Sequence, residues 1–257
     1  MNTSGVCCSR LALVSMLAVG VLALSPGVAR AQSAPPPADP PPPAREGSAE
    51  LAYISTTGNA STQTFSVGGE LIVRPTQWVV RNKFGFLRNE SSGAVTAKSL
   101  EYRARAERVL SPRASAFGEY NYFQDEFAGV SHRNALVAGV AYKVVDFASQ
   151  KLSVDGGLGY LNEQRTSGPD VSSGTVNFGG AYRWKFSPTA ELTDDARFDE
   201  TFADAADWRV AQTLAVTARL TGLLSLKVSN AVRFTNRPVP GFKKTDTNTS
   251  VALVAKF

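Results

Sequence analysis

The chain has 257 residues, a formal charge of +5 and two cysteines, Cys7 and Cys8. The basic balance is mild, and no basic tract or aromatic-basic stripe marks a nucleic-acid binder. No stretch after Gln32 holds 18 consecutive apolar residues, which excludes a transmembrane helix from that part.

Arg10 precedes an apolar run, Leu11 to Leu24, and a small-x-small site at Ala29, Arg30 and Ala31 comes before Gln32. This pattern reads as a secretory signal peptide, residues 1–31, cleaved after Ala31. Pro26 and Arg30 keep the apolar run below the ~20 residues of a retained anchor. Both cysteines fall in the removed segment and neither follows the apolar run, so no lipid attachment is expected. The exported chain would then hold no disulfide, thiolate nucleophile or cysteine metal site. Removing Arg10 and Arg30 leaves a charge of +3. Residues 32–47 contain "APPPADPPPPAR", which favours extended polyproline backbone and reads as a periplasmic spacer. Residues 48–257 are expected to form one domain.

Along that domain the recurring signal is period-two alternation, the mark of amphipathic strands. Leu100, Tyr102, Ala104 and Ala106 share a face opposite Glu101, Arg103, Arg105 and Glu107. Leu152, Val154, Leu158 and Tyr160 oppose Ser153, Asp155 and glycines. Val176, Phe178, Tyr182 and Trp184 oppose Asn177, Arg183 and Lys185. Val210, Leu214, Val216 and Ala218 oppose Arg209, Thr213, Thr217 and Arg219. Short turns are expected near Pro75, Pro112, Ser149, Pro188 and Gly222. Longer, more polar ones are expected at "TTGNAST", "NESSGAV", "DEFAGVSHR", "RTSGPDVSSG", "FADAAD" and "NRPVPGFKK". Turns of one set recur every ~35 to 40 residues, one hairpin of two long strands, giving about twelve strands.

Alternation alone fits a soluble sandwich or a membrane barrel. Three features favour the barrel. Small residues (Ala104, Ala106, Gly156, Gly180, Ala218) interrupt the apolar faces, which suits lipid better than a core that must fill volume. Aromatics collect near strand ends, with Trp78, Phe147, Trp184 and Phe186 by the short turns and Phe86, Tyr122, Tyr160 and Phe234 toward the others, like two interfacial girdles. The chain ends in alternating Val251, Leu253, Ala255 and Phe257. A closing strand with a terminal Phe resembles the C-terminal signature of Gram-negative outer-membrane barrels, which assembly machinery recognises. That strand is expected to pair with the first, "AELAYISTTG", because a closed sheet alone satisfies every backbone group in lipid.

Ser48 to Leu71 combines an alternating strand, a Thr57-Gly58-Asn59 turn and a second alternating strand. This opening resembles a family named for salt-induced outer-membrane proteins, the domain-of-unknown-function family numbered 481. The "GLGY" at Gly157 to Tyr160 and the acidic stretch "ELTDDARFDETFADAADWRV" are also similar to it. The resemblance implies an all-β transmembrane up-and-down barrel in the outer membrane. It brings no activity, cofactor or catalytic residue.

The chemistry lies on the expected lumen face. It comprises Glu70, Arg81, Lys83, Glu101, Arg103, Arg105, Glu107, Glu119, Asp155, Arg183, Lys185, Asp195, Arg197, Arg219, Lys227 and Arg233. Two readings follow. Basic side chains could line a water-filled pore for small anionic solutes, with a role in envelope maintenance under salt or osmotic stress. Alternatively, acids and bases could pair across a narrow lumen and plug it, leaving a structural or docking protein. A lipid hydrolase would need more than His132, the one histidine, in an expected loop beside Ser131, because adjacent residues on extended chain point apart. The acidic run Asp194, Asp195, Asp199, Glu200, Asp204 and Asp207 lacks the spacing of a calcium loop. No metal or cofactor is expected. Expected partners are outer-membrane lipid, lipopolysaccharide and the barrel-assembly machinery.

Overall fold

A computed structural model describes residues 42–56 and 61–257. The expected signal peptide, most of the proline tract and the Thr57-Gly58-Asn59 turn lie outside those residues. Twelve strands run in chain order: β1 Arg45–Thr56, β2 Thr62–Val73, β3 Trp78–Ser91, β4 Ala94–Val109, β5 Ala114–Asp125, β6 Val130–Asp146, β7 Gln150–Arg165, β8 Val171–Lys185, β9 Ala190–Thr201, β10 Trp208–Arg219, β11 Leu224–Thr235 and β12 Thr245–Lys256. Each pairs antiparallel with its chain neighbours, and β12 closes onto β1, with Ser48 opposite Lys256 and Leu51 opposite Leu253. Closure leaves no unpaired edge. The strand β1 opens at Arg45, inside the expected spacer.

The two faces are inside-out relative to a soluble protein. Leu136 and Leu158 are 65% and 63% exposed on the outer wall, while the carboxylate residues Glu119 and Glu163 are 1% exposed inside. A sandwich would bury the leucines; a lipid-embedded barrel does the reverse. Rings mark both ends of the outer wall. Phe198, Trp208 and Phe234 stack in a row, with centroids 6.2 and 5.0 Å apart, and Phe178 continues the row at 6.5 Å. At the other end Trp184 meets Phe186 edge-on at 5.6 Å. The end that holds Arg45 and Phe257 is called proximal below, and the opposite end distal.

The proximal turns are short, as expected. The distal set is not uniformly longer. The "NESSGAV" connection is a two-residue turn, Ser92 and Gly93, at φ 52° and 82°. Two successive left-handed residues form the primed turn whose twist matches a hairpin, so Asn89, Glu90 and Ser91 stay in β3 across a bulge. His132 likewise stands in β6, not in a loop. A register shift between Val130 and His132 absorbs Ser131, and His132 faces outward opposite Gln164.

Phe257 completes the seam. Its N–H donates to the Gly47 carbonyl at 2.9 Å and its carbonyl accepts from the Gly47 N–H at 2.7 Å. The Phe257 ring occupies the space where a side chain at residue 47 would start, so glycine there is what admits it.

Candidate functional site: an ion-paired lumen

Inward residues alternate along every strand, so charges spaced two apart meet around the lumen. At mid-height they converge on Glu119 of β5. Arg105 Nη1 of β4 lies 3.1 Å from it, Arg103 Nε of β4 3.7 Å, and Arg197 Nη1 of β9 2.9 Å. Arg105 also reaches Glu107 at 2.7 Å and Asp155 at 3.5 Å, and its guanidinium sits 3.7 Å from the Phe117 ring centroid. β5 and β9 are separated by three strands in the ring, so Arg197–Glu119 is a chord across the lumen. A second chord joins Arg233 of β11 to Glu101 of β4 at 2.7 Å, nearly spanning the barrel.

Toward the distal end a second cluster gathers on Glu163 of β7. Arg133 contacts it at 2.5 Å, Arg165 at 2.7 Å and Arg209 at 3.4 Å. Arg209 also contacts Asp207 at 3.1 Å, while its Nε and Nη1 find no hydrogen-bond partner. A cavity of about 350 Å³ runs beside both clusters, lined among others by Lys83, Glu101, Arg103, Arg133, Arg209, Arg233 and Lys243.

Three lumen carboxylates share one local device. Glu50 lies directly opposite Gly68, Glu101 opposite Gly85, and Asp155 opposite Gly179. A side chain at each glycine would begin 2.7, 3.0 and 2.7 Å from the carboxylate side chain. Glycine therefore lets each acid fold flat against the wall. From there Glu50 takes Lys227 at 2.7 Å, and Glu101 and Asp155 take the arginines named above.

The two cluster centres are buried: the Glu119 and Glu163 side chains are 0% and 2% exposed, and of their partners Arg105, Arg165 and Arg209 are also largely buried, at 6%, 11% and 7%, while Arg103, Arg197 and Arg133 are 38%, 24% and 21% exposed. Glu101, at 46%, and Asp195 are the wet acids, and Glu50, at 31%, is more exposed than its partner Lys227, at 24%.

The sequence-derived candidates all face inward, but their surroundings differ. Arg81 pairs with Glu70 at 3.3 Å, and Arg183 approaches Glu191 at 3.9 Å near the proximal rim. Arg219 donates to the Pro188 carbonyl at that rim. Lys83 and Asp195 line the cavity. Arg105 is buried and fully engaged, so it presents no free charge to a solute. The Glu163 cluster was missing from the sequence-derived set. Polar composition places Arg133 in a loop, yet it and Glu163 carry the same inward parity as the rest of β6 and β7. The acidic run is split by alternation: Asp195 and Asp199 point in, Asp194 and Glu200 point out, and Asp204 and Asp207 lie between β9 and β10. Among the described residues no three His, Cys, Asp or Glu side chains form a metal-binding group.

Residues 49–257 match the family described as protein of unknown function, DUF481. The chain belongs to that family. No curated protein matches it in sequence. Among solved structures it is similar to the NanC porin, with TM-score 0.51 at 7% identity, covering 82% of this chain and 98% of that one. The translocator domain of the autotransporter NalP from Neisseria meningitidis gives 0.46 at 14% identity, covering 97% of each chain. An outer-membrane channel from Pseudomonas putida F1 gives 0.46 at 14% identity, covering 83% of this chain and 95% of that one. Likeness at 7% identity to the NanC porin speaks to the fold alone, a closed antiparallel barrel.

Proposed function

We propose that the barrel is a narrow outer-membrane passage for small ions that favours anions, and that it serves the envelope under osmotic or salt stress, the setting its family resemblance implies. The observation that supports anion preference is the asymmetric burial. Formal charges in the lumen are mixed, but Glu119 and Glu163, the acids at the cluster centres, are withdrawn while Arg103, Arg197 and Arg133 beside them keep part of their surface wet, against the wet carboxylates of Glu101 and Asp195. A permeating ion meets the wet surface, and low-dielectric walls focus that field. The two chords narrow the path, so bulky solutes are excluded. Twelve strands lie between barrels filled by side chains and barrels with open channels.

The purified barrel in a planar bilayer should show small, discrete conductance steps with an anion-biased reversal potential in a salt gradient. Arg103→Glu with Arg183→Glu, both at partly exposed sites, should move the bias toward cations. Steps with no bias would overturn the asymmetry argument. A second reading, a plugged structural barrel, draws on the complete burial of Glu119 within its arginines. It predicts silence from folded protein over many insertions.

A further inference from the structure

The connection from β11 to β12, residues 236–244, crosses the distal mouth. In the ring of twelve strands β11 and β12 stand six places from β5 and β6, on the opposite wall. The tip of the connection nevertheless reaches the β5–β6 connection. A side chain at Gly129 would begin 2.7 Å from the Val239 Cβ and 2.9 Å from the Phe242 ring. Val239 is 3% exposed there, although it belongs to a surface connection. Gly129 follows a single 3-10 turn, Glu126–Ala128, at φ 81°, so its backbone and the space above it both require glycine. In the β7–β8 connection, Ser167 Oγ donates to the Pro240 carbonyl at 3.5 Å, and a side chain at Gly168 would begin 3.4 Å from the Pro240 ring.

The sequence makes this tip a preset unit. Val239, Pro240, Gly241 and Phe242 form a turn in which the Phe242 N–H donates to the Val239 carbonyl at 3.0 Å. Pro240 fixes φ at the first central position, and Gly241, at φ 92°, supplies the left-handed second one, the pattern of a type II turn. The two corner side chains are thereby held together as one apolar knob. The other end of the strap is tied to its own side of the mouth. Asn236 Nδ2 donates to the Ala206 carbonyl at 2.9 Å, and Arg237 pairs with Asp204, both in the β9–β10 connection. Beneath the strap lies the lumen cavity, and Arg237, Val239 and Lys243 form part of its lining.

We propose that the β11–β12 strap is the gate of the distal mouth. Closed, its Val239–Phe242 knob rests on Gly129. Open, the preset tip lifts off as a unit about the Asn236 end and bares the cavity. The two ends differ in what holds them. The base is tied by an amide hydrogen bond and an ion pair, whereas the tip is seated chiefly by apolar contact on a glycine, which is non-directional and breaks without stranding a charge. Few buried contacts at one end and polar ties at the other make the tip the part that moves. In the closed state Arg237 and Lys243 lie over the cavity, so the gate adds positive charge where a solute enters. The gating inference rests on the barrel and its strap. That small anions are what the gate admits rests on the function proposed above.

The test uses the full chain, folded in its own outer membrane and purified in detergent. Cysteines occur only at positions 7 and 8, so an introduced thiol is the sole one in the barrel. Ala231→Cys puts it on the cavity wall beneath the strap, and Ala94→Cys puts it on the exposed β3–β4 hairpin. A small anionic methanethiosulfonate should label position 231 slowly and position 94 fast. Adding Val239→Ser should speed labelling at 231 about tenfold or more, since returning a buried valine side chain to water costs at least that factor, and leave position 94 unchanged. Heat-shifted gel mobility should persist, and Phe242→Ser supplies the same comparison if Val239→Ser fails to fold. Equal rates at 231 with and without the knob, or labelling at 231 as fast as at 94 in the parent, would overturn the gate. In a separate variant, Ser167→Cys with Pro240→Cys, a short bis-methanethiosulfonate bridge should hold the tip down. Bilayer conductance should then fall away and return with reductant. Steps that persist through the bridge would also overturn the gate, whereas silence before bridging counts against the channel reading and leaves the labelling rates to decide the gate.

Discussion

Glu119→Gln keeps the shape but deletes the charge on which Arg103, Arg105 and Arg197 converge, and turns one of two acceptor oxygens into a donor. Breaking a buried ion pair costs about 3–5 kcal/mol when it strands the partner. Here the stranding is partial. Arg105 is buried but keeps Glu107 at 2.7 Å and Asp155 at 3.5 Å. Arg103 and Arg197 are partly wet, and their losses belong with surface pairs, about 0–1 kcal/mol each. The lower end of the range follows, about 3 kcal/mol. Glu191→Gln is the matched control. Its partners Arg183 and Lys256, at 3.9 and 3.0 Å, are both exposed at the rim, so less than about 1 kcal/mol is expected. Denaturant unfolding of the barrel reconstituted in vesicles measures both. Trp78, Trp184 and Trp208 report through fluorescence, because they lie at strand ends on the lipid side. Equal costs for the two variants would refute the claim that the Glu119 cluster is desolvated.

Deleting Phe257 should deplete folded, heat-shiftable barrel in the outer membrane far more than deleting Pro35 to Pro43, because only the former removes the Gly47 pairing at the seam; band intensities after membrane fractionation decide it. Gly85→Val should push Glu101 off the wall and break the Arg233 chord while the barrel still forms, seen as higher single-channel conductance with unchanged gel mobility. Mass spectrometry of protein recovered from the outer-membrane fraction should give a chain starting at Gln32, and recovery from the soluble periplasm would count against the export reading.

The closed antiparallel fold was legible because period-two alternation is a local property. Each segment carries it, and Val251, Leu253 and Ala255 carry it into the closing strand. Turn lengths were less legible. Whether "NESSG" is a loop depends on backbone torsions at Ser92 and Gly93, which polar composition does not report. His132 and Arg133 were misplaced for the same reason, since a bulge at Ser131 continues β6 through a loop-like string. Lumen parity could be read from sequence, but partners could not. Arg197 and Glu119 are 78 residues apart, and their meeting depends on barrel closure and stagger. The glycines facing Glu50, Glu101 and Asp155 carried a readable signal only once register was known.

Mixed lumen charge leaves two roles for each arginine, a source of field and a strut that blocks the path, and Arg197 can separate them. Its two terminal nitrogens grip both Glu119 oxygens, Nη1 to Oε1 at 2.9 Å and Nη2 to Oε2 at 3.1 Å. That bidentate fork holds the chord in place, and a lysine has only one nitrogen to offer. Arg197→Lys therefore keeps the charge and loses the strut. If the chord limits flow, conductance should rise while the reversal potential stays anion-biased. If Arg197 acts chiefly through its field, lysine should leave both unchanged, and only a charge-removing change such as Arg197→Gln should move the bias. A loss of bias on Arg197→Lys would contradict both roles, because the formal charge facing the permeating ion has not changed.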